Sequence, residues 1–129
     1  MARKSLPRPT DAELAILRVL WRRGPSTVRE VTEALAVGRE VGYTTALKLL
    51  QIMTDKGLVR RDESRRTHVY AARLGEEQTQ RQLVGDLLER AFGGSAQKLV
   101  MQALAARRAS PEELAEIRRL LDEIEREAP

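Results

Sequence analysis

Two helix-starting signals of the same kind, Thr10-Asp11-Ala12-Glu13 and Thr27-Val28-Arg29-Glu30, constrain this chain more than any other feature. In each, a threonine hydroxyl and a glutamate carboxylate three residues on satisfy each other's backbone N–H groups at the open end of a helix. Leu14, Leu17, Leu20 and Trp21 follow the first signal at helical spacing, and Gly24-Pro25 stops that helix. Val28, Val31, Ala34 and Leu35 follow the second as its inward face. A turn from Gly38 to Gly42 leads to a third helix from about Tyr43 to Lys56, and Gly57 is placed to supply a left-handed residue beyond its end. Two β-prone runs, Leu58 to Arg61 and Thr67 to Tyr70, flank the charged tip Asp62-Glu63-Ser64-Arg65-Arg66 and predict a hairpin. Three helices and a hairpin in that order are the winged helix-turn-helix arrangement.

After Gly75 the pattern changes. Leu83, Val84, Leu87, Leu88, Ala91 and Phe92 mark one helix face, which Gly93-Gly94-Ser95 interrupts. Leu99, Val100, Ala103 and Leu104 mark a short helix. Ser110 then serves as an N-cap, with Pro111 at the first helical position and an acid at the third. Leu114, Ile117, Leu121 and Ile124 follow as an a/d seam. The expected class is mainly α: a basic arm over 1–9, flexible because of its prolines and charges, a winged-helix head over 10–75, and a helical dimerisation region over 76–129. Apolar positions in that region outnumber what short helices bury within one copy. The expected dimer contacts are Leu83, Leu87, Phe92, Leu99, Leu104, Leu114, Ile117, Leu121 and Ile124. Two-fold dimers are also the commonest closed assembly.

Charge divides along the same line. Residues 1–75 hold 15 Lys/Arg against 8 Asp/Glu, whereas residues 76–129 hold 8 against 11. A basic half joined to an acidic one suggests that only the first meets a polyanion. The chain contains no cysteine and one histidine, His68, which removes disulfides, thiolate metal sites and cysteine catalysis. Serines and threonines fall at caps and outward helix positions rather than beside a base, so no catalytic set is expected, nor a metal or cofactor. No apolar run is long enough to span a bilayer and no apolar signal segment follows the basic start, which fits a cytoplasmic protein without membrane insertion.

On a helical wheel of the third helix, Tyr43, Ala46, Leu47, Leu50 and Met53 gather inward, while Thr44, Thr45, Lys48, Ile52 and Asp55 lie outward. Short hydroxyls and one lysine suit phosphates, base edges and thymine methyls in a major groove. Ile52 on that face either meets such methyls or signals that the helix is rotated from the wheel. In the hairpin, Arg60, Arg61, Arg65 and Arg66, with His68 beside them, are placed to straddle a phosphate backbone or enter a minor groove. Ser26 and Thr27, at the start of the second helix, are candidates to hold one more phosphate.

Three segments carry a resemblance over nearly the whole chain: PTDAELAILRVLWRRGPSTVREV from Pro9, YTTALKLLQIMTDKGLVRRDESRRTHVY from Tyr43 and FGGSAQKLVMQAL from Phe92. Together they resemble the penicillinase-repressor (BlaI/MecI) family of winged-helix transcriptional repressors. The resemblance implies a homodimer on a palindromic operator, bound through the third helix and the wing, with dimerisation in the C-terminal helices. It also implies induction when a regulatory protease cuts the repressor. A copper-responsive branch of the family carries a C-terminal cysteine cluster. Its absence here excludes copper sensing by that route, and between Gln97 and Ala109 there is no distinctive cleavage sequence. Two other classes remain beside this one. A small-molecule-responsive winged-helix regulator needs a pocket that the 3% aromatic content disfavours. A protein-interaction module would present the wing to an acidic protein, and a steep salt dependence with sequence preference would separate it from a repressor.

Overall fold

The computed structural model describes residues 8–36 and 41–129, so most of the arm and most of the Gly38–Gly42 turn lie outside the described residues. The chain forms two compact units, 1–84 and 85–129, and the boundary falls within a helix. In chain order the elements are α1 (Asp11–Arg23), β1 (Ser26–Thr27), α2 (Val28–Ala36), α3 (Tyr43–Lys56), β2 (Val59–Asp62), β3 (Val69–Ala72), α4 (Glu76–Phe92), α5 (Ala96–Ala106) and α6 (Pro111–Glu127).

Both expected capping boxes close. Thr10 N–H donates to Glu13 Oε1 at 2.9 Å, and Glu13 N–H donates to Thr10 Oγ1 at 3.2 Å. The Thr27–Glu30 pair repeats those distances. Ser110 and Glu113 form a third box, at 2.9 and 3.1 Å, ahead of Pro111. Gly57 ends α3 in the left-handed region, at φ 84° and ψ 17°. There its N–H donates to Thr54 O, and the next N–H, of Leu58, donates to Met53 O. This is a Schellman ending, which a residue with a Cβ adopts only under strain. It turns the chain directly into the wing.

In the first unit, Ile16, Leu17 and Leu20 of α1 meet Val28, Val31 and Leu35 of α2 and Ala46, Leu50 and Met53 of α3. Leu58, Val59 and Tyr70 close this core at the root of the wing. Two polar ties bind its ends. The Trp21 indole N–H donates to Leu74 O at 2.9 Å, joining the end of α1 to the chain after β3. Lys56 Nζ meets the buried Glu13 carboxylate at 2.6 Å, joining the end of α3 to the start of α1.

The hairpin differs from expectation in extent. Its second strand starts at Val69 and runs to Ala72, Asp62 joins the first strand, and the tip is displaced accordingly. Pairing sets Val59 opposite Ala72 and Arg61 opposite Tyr70. A third strand joins the pair: β1 pairs antiparallel with β3, Ser26 opposite Tyr70 and Thr27 opposite Val69, giving the order β1-β3-β2. Val69 and Tyr70 meet both neighbours, and Ala71 and Ala72 extend β3 by pairing with Arg60 and Val59 of β2. A two-residue strand has no alternating pattern to betray it.

The second unit consists of helices alone, and none of its side chains is buried. In α6, Leu114 and Ile117 are half-buried, while Leu121 and Ile124 are 53% and 54% exposed. Leu120, absent from the expected seam, is equally exposed. In α5, Leu99 is half-buried, whereas Val100, Met101 and Leu104 are exposed. On α4, Leu83 and Phe92 are half-buried and Leu87 is exposed.

Candidate nucleic-acid interface

Helix α3 is anchored by Ala46, Leu50 and Met53, each wholly buried. That anchoring leaves Thr44, Thr45, Lys48 and Asp55 exposed, as the wheel predicts. Ile52 is 40% exposed, so the helix is not rotated and an apolar side chain does stand on the outer face. Tyr43 departs from the wheel: it is 52% exposed rather than inward. It sits in the first turn of α3, beside the core face, and borders a groove instead of packing under α1.

Ser26 also needs correcting. Its side chain is buried, and its hydroxyl donates to Gly24 O at 2.8 Å, so it shapes the bend between α1 and α2 and has no surface to offer a phosphate. Strand pairing with Tyr70 puts it there. Thr27 is half-buried, and its hydroxyl and N–H are both engaged by Glu30. Those contacts hold the Glu30 carboxyl below the usual carboxylate range.

The four wing arginines are all exposed but not equivalent. Arg61 lies beside the Tyr70 side chain and 3.1 Å from a Glu63 carboxylate oxygen, and both favour its charged form and raise its pKa. Arg65 feels Asp62, whose carboxylate accepts the Ser64 N–H at 2.9 Å and orders the tip. The Arg60 and Arg66 side chains make no hydrogen bond or ion pair among the described residues. The strand register turns one arginine onto the protein and leaves its neighbour outside, a distinction that two adjacent arginines in the sequence do not show.

Between the start of α2, the first turns of α3 and the wing lies a groove of about 530 Å3. Its walls are Thr27, Val28, Arg29, Tyr43, Leu47, Arg66, Thr67, His68 and Tyr70. Arg29 did not stand out in the sequence. It reaches the wing only because β1 pairs with β3, a contact between distant parts of the chain.

Two successive helices, the second with an exposed polar face, and a basic hairpin beyond them define a winged-helix module. The chain belongs to the penicillinase repressor family, whose family model matches residues 9–123. It is similar to the transcriptional regulator BlaI of Mycobacterium tuberculosis, with 36% identity over 122 residues, 93% of this chain and 87% of that one. Among solved structures it resembles monomeric BlaI of Bacillus licheniformis in complex with the blaP half-operator. That match has 25% identity and a TM-score of 0.50 over 58% of this chain and 92% of the other. A MarR family protein from Bacillus stearothermophilus shares the fold over 92% of this chain and 74% of its own, with a TM-score of 0.52 at 20% identity. No helix among the described residues is long and apolar enough to cross a membrane.

Proposed function

We propose that this chain is a homodimeric transcriptional repressor that acts in the cytoplasm on a palindromic operator. The observation that carries the proposal is the joint exposure of Thr44, Thr45 and Lys48 on α3 and of Arg60, Arg65 and Arg66 on the wing, within one winged-helix unit. Hydroxyls and a lysine on the helix suit base edges, whereas guanidinium groups on the wing suit phosphates. Arg61, already held by Tyr70 and Glu63, contributes less. Family membership supports the reading, as does the half-operator complex of the Bacillus relative.

The helical region is proposed to dimerise through Leu83, Leu87, Phe92, Leu99, Leu104, Leu114, Ile117, Leu121 and Ile124. The absence of any buried side chain in residues 85–129 supports this, since such helices gain little from packing within one copy. Two joined heads bind a palindrome far better than one, because the first contact raises the effective concentration of the second. Release then follows when a protease severs the chain between Gly93 and Ala109, leaving both heads intact.

The test compares the full chain with one ending at Gly94 on a full palindrome and on a half-site, both taken from footprints upstream of the chain's own gene. The full chain should prefer the palindrome strongly, and the shortened chain should bind both weakly and alike. Equal affinity of the two proteins for the palindrome would remove the physical basis for dimer-dependent repression.

A further inference from the structure

We infer that the groove beside α3 seats one phosphodiester of the operator backbone, with Arg29 of α2 and Arg66 of the wing closing on its charge and Tyr43 packing on the adjoining deoxyribose. The inference rests on the DNA-binding reading above and deepens it by adding Arg29 and Tyr43 to the interface.

Among the described residues the groove carries two arginines and an imidazole and no carboxylate. Neither Arg29 nor Arg66 has an ion-pair or hydrogen-bond partner among the described residues. Two unpaired guanidinium groups on one concave surface repel each other unless an anion comes between them. The remaining described wall mixes the hydroxyl-bearing Thr27 and Thr67 with Val28, Leu47, the buried Tyr70 and the exposed ring of Tyr43. A pair of guanidinium groups beside one exposed aromatic ring suits a phosphate and its adjoining sugar. Position selects a polynucleotide over a small anion. The groove lies between the first turns of α3 and the Arg66–His68 stretch of the wing, so a strand touching both elements has to cross it. The exposed ring of Tyr43, at odds with the helical pattern of α3, then has a contact to make. Arg29 thereby joins the reading helix and the wing through one strand of DNA.

The experiment uses the full chain and a duplex that the chain itself selects from a random pool. Affinity is measured against salt for wild type, Arg29→Ala and Tyr43→Ala, with far-ultraviolet circular dichroism confirming that both exposed-site variants are folded. Arg29→Ala should lower the salt slope by about 0.9, the value for one lost phosphate contact. It should weaken selected and random duplexes by the same factor. Tyr43→Ala should weaken binding with the slope unchanged, because it removes no charge. A scan of single neutral methylphosphonates along the duplex should find one phosphate whose neutralisation weakens wild type but does not weaken Arg29→Ala further. Unchanged slope and affinity for Arg29→Ala would overturn the inference, as would an Arg29→Ala protein that keeps every phosphate sensitivity of wild type. Wild type that retains no duplex at all would instead refute the DNA-binding reading, and the seat with it.

Discussion

Lys56→Met tests how the outer helix of the head is held in place. Lys56 ends α3, and its Nζ lies 2.6 Å from an oxygen of Glu13, whose side chain is 3% exposed. That carboxylate also accepts the Thr10 N–H at 2.9 Å. Burial alone pushes the Glu13 carboxyl up, but Lys56 and the Thr10 contacts outweigh burial and bring it below its ordinary value. Removing one partner from a fully buried pair costs about 3–5 kcal/mol. Here the lysine side chain is 33% exposed and the Thr10 hydrogen bond survives. Roughly half that cost, ~1.5–2.5 kcal/mol, is therefore expected. In a unit of this size ~1 kcal/mol moves Tm by about 4–8 °C, so the variant should melt roughly 6–20 °C lower near neutral pH.

The pH dependence of that loss has a definite sign. A carboxyl whose native pKa is depressed stabilises the fold fully above its unfolded-state value, and the contribution disappears as pH falls through the native one. Wild type therefore loses this part of its stability in acid, below the ordinary glutamate value of 4.5. In Lys56→Met the carboxylate keeps its burial without its counter-ion, so protonation relieves the variant instead. The gap between the two proteins is widest near neutrality and closes in acid. Thermal unfolding of both full chains, followed by circular dichroism across pH, measures it. A neutral-pH gap below ~0.5 kcal/mol, the usual span of surface substitutions, or a gap of constant size at every pH would refute the account.

Three further outcomes are expected. Leu121→Asp places a charge on the exposed seam of α6 and should shift sedimentation toward monomer at micromolar protein, while a head-only thermal transition stays in place. Thr45→Ala and Lys48→Ala should cost more on the selected operator than on random DNA, by roughly 1–3 kcal/mol for each direct base contact, whereas Arg66→Ala should weaken both duplexes alike in equilibrium titrations. Leu50→Ala removes a wholly buried α3 side chain and should destabilise the head by about 2–5 kcal/mol in urea unfolding, since close packing leaves a cavity.

The sequence by itself determined where helices begin and end, because capping is local chemistry. A hydroxyl and a glutamate three residues apart need no distant partner, and all three capping boxes stand where the residues put them. The same holds for Gly57, whose missing Cβ decides the end of α3. Periodicity likewise marked Ala46, Leu50 and Met53 as core and turned Ile52 outward. What escaped it depended on contacts between residues far apart in the chain. Pairing of Ser26 with Tyr70 buried a serine that looks like a phosphate ligand, and pairing of Ala71 and Ala72 with Arg60 and Val59 carried β3 beyond its β-prone run. Register opposite Tyr70 turned Arg61 onto the protein while leaving its neighbour Arg60 outside. The fold of the wing against α2 and α3 brought Arg29, Tyr43 and Arg66 around one groove. Helix caps are settled within four residues of chain, but strand register and the walls of a groove are settled only when distant segments meet and their burial is shared.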